Sequence, residues 1–148
     1  MYDSIGEVSR KTGITVSTLR FYDKEGLFPN MKRSSGGIRM FSGAELETIR
    51  VIECLKSSGL SIKEIRQFLD WCQQGDSSLQ KRRDMFHERR AVVTKQMEEL
   101  QKTMDMIRYK CWYYDTALAA GTESAVKSRS AEELPAEICA LKKTMEAG

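Results

Sequence analysis

Apolar positions recur at helical spacing along most of this chain, and capping residues and glycines punctuate the breaks between them. Ile5 and Val8 share one face of a helix opened by Ser4. Glu7, three residues on, completes a capping box. Gly13 ends that helix, where a left-handed turn residue is needed. Thr15 caps a second helix whose inner face is Val16, Leu19 and Tyr22. Ser42 with Glu45 opens a third helix, to about Ser57, striped by Leu46, Ile49, Ile52 and Leu55, and Ser58-Gly59 breaks it. Ser61 with Glu64 opens a fourth, striped by Ile62, Ile65, Phe68 or Leu69, and Cys72. Gln74-Gly75-Asp76 stops it. Residues 1–75 thus read as one small domain.

From Ser77 to about Leu118 there is neither Pro nor Gly. Val93, Met97, Leu100, Met104, Ile107, Cys111, Tyr114 and Leu118 alternate at steps of four and three, which is a heptad seam. Extended backwards, the seam meets Phe86 and Leu79 but also Arg83 and Arg90, so it is most regular in its second half. A helix of this kind over 77–118 cannot bury its seam on so small a domain, and pairing with a second copy follows. Folding back onto the first domain is the competing arrangement. Residues 119–148 are richer in small and polar types. They predict a tail that is partly flexible or a short docking segment, in which Ser130 and Glu133 open a short helix that Pro135 limits or displaces.

The polar positions of the first domain add a function. The outer face of the second helix offers Ser17, Thr18, Arg20 and Lys24, short hydroxyls and cations suited to base edges and phosphates. Helix, glycine turn and helix is the helix-turn-helix plan, although an ordinary helical hairpin shares it. Residues 29–41 then place Lys32, Arg33 and Arg39 around Ser34-Ser35-Gly36-Gly37, a hairpin tip, and so a basic wing. Between Arg10 and Arg39 lie seven Lys or Arg and two acids, although the whole chain carries a formal charge of only +3. A merely solvated face does not account for cations concentrated on a helix-turn-helix and its hairpin. A local excess of this kind releases counterions from DNA.

At 148 residues, 41% hydrophobic and 30% charged, the chain is long enough for a small domain plus a helical arm. No apolar run approaches membrane length and the first residues do not resemble a signal peptide, so a cytoplasmic protein is expected. Cys54, Cys72, Cys111 and Cys139 are widely spaced without a C-x-x-C pair, which fits free thiols in a reducing compartment. No Ser/His/Asp or Cys/His constellation suggests an enzyme, no cofactor is implied, and His87 sits on the coil surface.

Taken in order, Ile5-Gly6-Glu7-Val8, Thr12-Gly13, Thr18-Leu19-Arg20-Phe21-Tyr22, Glu25-Gly26-Leu27, Arg33, Gly37-Ile38-Arg39, Phe41, Leu55 and Gly59-Leu60-Ser61-Ile62-Lys63-Glu64-Ile65 resemble the MerR family of bacterial transcription regulators. The resemblance implies a mainly α fold, a winged helix-turn-helix followed by a long helix forming an antiparallel coiled-coil homodimer. It also implies a mechanism. The dimer binds a pseudo-palindrome in double-stranded promoter DNA whose elements are too far apart. In its effector-bound form it bends and underwinds that DNA for RNA polymerase. By position, Arg20, Ser17 and Thr18 contact bases or adjacent phosphates, and Tyr22 holds a phosphate through its hydroxyl. Arg33 and Arg39 grip the backbone from the wing, and Phe41 anchors the wing in the core.

A narrower resemblance, on Ile52-Glu53-Cys54-Leu55-Lys56, Lys110-Cys111-Trp112-Tyr113-Tyr114 and Ala120-Gly121-Thr122-Glu123, is to the branch responding to aldehydes, nitric oxide and other thiol-reactive agents. It implies a reactive cysteine at Cys54. Arg50, one turn earlier, and Lys56 nearby favour a thiolate, while Glu47 and Glu53 oppose it. The alternative is a thiol that only fills space. Across an antiparallel dimer, Cys54, Trp71 and Cys72 of one chain are expected to meet Cys111, Trp112 and Tyr113 of the other. A transition-metal sensor is disfavoured, because residues 112–138 hold no Cys or His to converge with Cys111. A reversible organic-ligand sensor and an effector-free architectural DNA protein remain as alternatives.

Overall fold

The computed structural model describes all 148 residues, which form two compact units, Met1–Val92 and Val93–Gly148. In the first unit, α1 (Ile5–Thr12) and α2 (Val16–Lys24) are joined by Gly13, whose φ of 75° is one that only glycine adopts freely. Strands β1 (Lys32–Arg33) and β2 (Arg39–Met40) pair antiparallel, Arg33 opposite Arg39. The hairpin is closed by Ser34 N–H to Ile38 O at 2.9 Å. Asp3 and Phe41 exchange backbone hydrogen bonds of 2.8 and 3.0 Å, fastening the chain start to the foot of the wing.

α3 (Gly43–Ser57) and α4 (Ile62–Gln73) complete the core. The capping boxes at Ser4/Glu7, Ser42/Glu45 and Ser61/Glu64 are all formed, each serine and its glutamate satisfying one another's backbone N–H. Val8, Leu19, Tyr22, Leu27, Phe41, Ile49, Ile52, Leu55 and Ile65 are all but fully buried. The Phe41 ring meets that of Phe28 edge-on at 5.7 Å, so the wing is anchored as expected. Phe68 and Leu69 are both buried, completing the α4 stripe.

A short 3-10 turn (Gly75–Ser78) leads into α5 (Leu79–Ala120), a single helix of 42 residues. Its first turns belong to the first unit. Arg82 donates to the Gly75 carbonyl at 2.8 Å, and the Phe86 ring stands on that of Phe68 at 5.3 Å. Phe86 thus touches the edge of the domain core, although it stays 41% exposed, and Met85 beside it packs against that core.

In the second unit, Tyr113 and Ala117 of α5 bury against Val126 of the short α6 (Ser124–Lys127). Where the sequence predicts a partly flexible tail, the structure has a 3-10 turn (Ala131–Glu133) and α7 (Ala136–Glu146). Ser130 and Glu133 form their capping box, and Pro135 displaces the helix to its far side, where proline costs nothing. Ile138 and Leu141 of α7 are buried, and Glu137 pairs with Arg108 of α5. The expected seam lies on a different face of α5. Val93 is half-buried and Cys111 exposed. Met97, Leu100, Met104, Ile107, Tyr114 and Leu118 are all exposed, Leu118 to 84%.

Candidate nucleic-acid interface

The start of α2 carries a knot of hydroxyls. Thr15 Oγ1 accepts the Thr18 N–H at 3.2 Å, donates to Thr18 Oγ1 at 2.9 Å and lies 3.1 Å from Ser17 Oγ. Ser17 and Arg20 are exposed and Thr18 is half-buried, so one turn of α2 presents two hydroxyls and a guanidinium on its outer side. Lys24 is exposed one turn further on.

The wing is tied to this helix through a single carboxylate. One oxygen of Asp23 accepts from Arg39 Nε at 2.6 Å and from Arg33 Nη2 at 2.7 Å. Arg33 Nη1 also donates to the Gly37 carbonyl at 3.2 Å. The two arginines, equivalent in the sequence, therefore differ. Arg33 uses both terminal nitrogens to brace the hairpin against α2. Arg39 is held by its Nε, which leaves its two outer nitrogens for a ligand.

Tyr22 departs from its expected role. Its ring is core, 1% exposed. Its hydroxyl donates to Glu53 at 2.6 Å and accepts from Lys56 Nζ at 3.1 Å, so it has no free reach to a phosphate. Burial and the Glu53 carboxylate push the Tyr22 hydroxyl above its ordinary ionisation range, against the pull of Lys56. Lys56, held in its charged form by the Tyr22 hydroxyl, is the exposed cation of this group. It was not among the cations singled out for DNA in the sequence. The three-residue step from Glu53 to Lys56 on α3 was its only trace.

The four thiols have different surroundings within one chain. Cys54 is exposed on α3. Arg50 pairs with Glu47 and Lys56 is engaged by Tyr22, so neither cation is directed at the Cys54 thiol. Cys72 is half-buried and lines a cleft of about 290 Å³ with Leu27, Phe28, Val51, Phe68 and Leu69. Trp71 lies under the Lys81 ammonium, 6.0 Å from its ring centroid. In the second unit, Cys111 and Trp112 line a shallow groove with Pro135, Ile138 and Leu141. Tyr113 is buried against Ala117 and Val126, as a core residue of the second unit. No three His, Cys, Asp or Glu side chains converge closely enough to hold a metal ion, and no helix is long and apolar enough to cross a membrane.

Comparison with known proteins agrees with this geometry. The family described as "MerR HTH family regulatory protein" matches residues 4–71, and "MerR, DNA binding" matches residues 46–109. A Haemophilus influenzae protein, an uncharacterized HTH-type transcriptional regulator, is 38% identical over 120 residues, covering 81% of this chain and 89% of its own. Among solved structures the chain is similar to HiNmlR, a MerR family regulator lacking the sensor domain, bound to promoter DNA. That likeness has a TM-score of 0.75 at 36% identity and covers 84% of this chain and 99% of that one. A MerR family transcriptional regulator from Bacillus thuringiensis gives a TM-score of 0.68 at 36% identity, over 75% of this chain and 97% of its own. The chain belongs to the MerR family of helix-turn-helix transcriptional regulators, a family of DNA-binding proteins and not of enzymes.

Proposed function

We propose that two copies pair through the α5 seam and bind a pseudo-palindromic promoter, each copy reading one half-site. Arg20, Ser17 and Thr18 face the base edges. Lys24, Lys56 and Arg39 hold phosphates, and Arg33 sets the wing at the height Arg39 needs. The observation that carries this reading is the Asp23 carboxylate, which locks the basic wing onto the same helix that presents the hydroxyls and Arg20. A recognition helix and a wing fixed to one another meet the duplex with little ordering left to do. In the effector-bound state the dimer bends and underwinds an overlong spacer, which brings the promoter elements into register for RNA polymerase.

The effector in this reading is a thiol-reactive agent, an aldehyde, nitric oxide or another electrophile, acting at exposed Cys54. Cys54 stands between Glu53 and Lys56, the two residues that hold Tyr22 of α2. An adduct there disturbs the segment of α3 that seats the recognition helix.

Selection from a random-sequence duplex pool tests the DNA reading. The full-length protein is expected to recover a pseudo-palindrome, and Arg20→Ala to lose the preference for it. Binding without any sequence preference would refute that reading. Limiting iodoacetamide at neutral pH with peptide mapping tests the effector reading. Cys54 is expected to label first, and Cys54→Ser to abolish the formaldehyde response of the selected promoter. Uniformly slow labelling, or a full response in Cys54→Ser, would refute it.

A further inference from the structure

Arg89 lies in the first unit and carries a buried polar group that the DNA-binding face does not use. It sits on α5 with its side chain only 17% exposed. Its Nη1 donates to the Ser58 carbonyl, at the end of α3, at 3.3 Å. Its Nη2 reaches Glu88 of its own helix at 3.4 Å, and its Nε–H is buried with no acceptor. The charge of Arg89 also helps keep the Glu64 carboxyl, in the first turn of α4, below its ordinary range, after the larger contributions of the Ser61 cap. The guanidinium therefore stands at the joint where α3 ends and α4 begins.

That joint leads by short contacts to the recognition helix. Ser58 is buried. Its N–H caps the Cys54 carbonyl at 3.1 Å and its hydroxyl caps the Leu55 carbonyl at 2.7 Å. One turn back on the same helix, Glu53 and Lys56 hold the Tyr22 hydroxyl at 2.6 and 3.1 Å. The Arg89–Ser58 and Tyr22–Glu53 hydrogen bonds lie at the two ends of this route, Lys56 adds an exposed ammonium at the second, and the last turns of α3 join them. An unpaired buried N–H is normally avoided. Arg89 tolerates one, so what it contributes here is the placement of the Ser58 end.

We infer that Arg89 is a positioning residue for DNA binding: it fixes the end of α3 against α5 and, through Glu53 and Lys56, sets Tyr22 and the recognition helix. This rests on the reading of α2 as the DNA-facing helix. It assigns the early part of α5, which touches no DNA in that reading, a role in DNA affinity. It also gives a route by which a change along α5, or at Cys54 whose carbonyl Ser58 caps, alters α2.

A double-mutant cycle tests it on the full-length protein with the duplex selected above, measured by fluorescence anisotropy. Arg89→Met and Tyr22→Phe are each expected to weaken binding on the order of tenfold, the range seen for residues that act through others. If they act on one route, the double variant loses little more than either single variant. If they are independent, their effects multiply to about a hundredfold. Independent effects, or Arg89→Met binding like the wild type, overturn the inference. Arg89→Gln keeps an N–H for the Ser58 carbonyl and is expected to recover most of the affinity that Arg89→Met loses, and Arg89→Leu replaces Arg89→Met in the same cycle if the latter does not melt cooperatively. A merely structural role for Arg89 lowers the melting temperature without coupling to Tyr22→Phe. If Arg20→Ala leaves the affinity intact, the DNA face itself is misread and the inference falls with it. If Arg20→Ala abolishes selection while the cycle is additive, only the role of Arg89 is lost.

Discussion

Replacing Arg39 by alanine separates a phosphate contact from a structural one. The side chain is 25% exposed and held at its Nε by Asp23. The fold loses little, because Asp23 keeps Arg33 at 2.7 Å, and a partly exposed pair is worth about 0–1 kcal/mol. The binding loss is electrostatic and depends on salt. Each phosphate contact contributes about 0.9 to the slope of log affinity against log salt, and a dimer carries the contact twice, so the slope falls by about 1.8. Between about 50 and 200 mM salt, a fourfold change, the affinity gap between wild type and Arg39→Ala closes about twelvefold. Fluorescence anisotropy across a salt series on the selected duplex and on an unrelated one reads this directly. Both sequences are expected to lose affinity alike, since the contact carries no sequence information. Arg39→Lys keeps the charge and is expected to keep the slope. An unchanged slope in Arg39→Ala would show that Arg39, like Arg33, only braces the wing.

Three further outcomes follow from local geometry. Leu100→Lys, in the middle of the exposed seam, is expected to give a monomer by sedimentation velocity at micromolar protein, and a persistent dimer would place the interface elsewhere. The Tyr22 hydroxyl ionises above its ordinary value of 10.0, chiefly through burial. The unfolded chain therefore releases this proton first, and stability that is full below pH 10 falls as pH rises through the folded value. In urea titrations Tyr22→Phe is expected to flatten that alkaline loss, and an identical alkaline limb would contradict the buried hydroxyl. Glu64 is held below its ordinary 4.5, first by the Ser61 backbone N–H. Its contribution is present above that value and is lost as pH falls through the folded one. Ser61→Ala is expected to cost about 1 kcal/mol at neutral pH, with a smaller difference in acid, and equal differences at both would argue against the box.

Features set by neighbours along the chain were legible, and those set by distant partners were not. The capping boxes are fixed by a three-residue step, and the hairpin tip by Gly36-Gly37, so both followed from the sequence. Asp23 is 10 residues from Arg33 and 16 from Arg39, and nothing local says that one carboxylate will gather both. Tyr22 and Glu53 are 31 residues apart. The exposed hydroxyl imagined on Tyr22 is internal because α3 delivers a carboxylate to it. In the tail, the small and polar residues ahead of Pro135, and Pro135 itself, obscured α7, although its own residues favour a helix and burial of Ile138 and Leu141 secures it. Phe86 falls in register with the seam by its spacing, and only the fold shows that its ring meets Phe68.

The chain presents two surfaces of opposite chemistry, and they differ in how far they tolerate water. The cationic face of α2 and the wing is stable in solvent, because its arginines are partly neutralised by Asp23 and the remaining charges are hydrated. The apolar row of α5 is not. Six large side chains from Met97 to Leu118 stand exposed on one face, and burial of each is worth about 1.5–3 kcal/mol. A contiguous row of this kind marks an association site. Pairing through the seam is therefore the standing state of the molecule in the proposed function, and DNA binding is conditional upon it. The two also respond to salt in opposite directions. Screening releases DNA as the slope above requires, while apolar burial is indifferent to screening or strengthened by salting-out ions. In sedimentation velocity with a labelled duplex, raising sodium sulfate is expected to free the DNA while the protein remains dimeric. A protein that dissociates to monomers in step with DNA release would show that the duplex, and not the α5 seam, holds the two copies together.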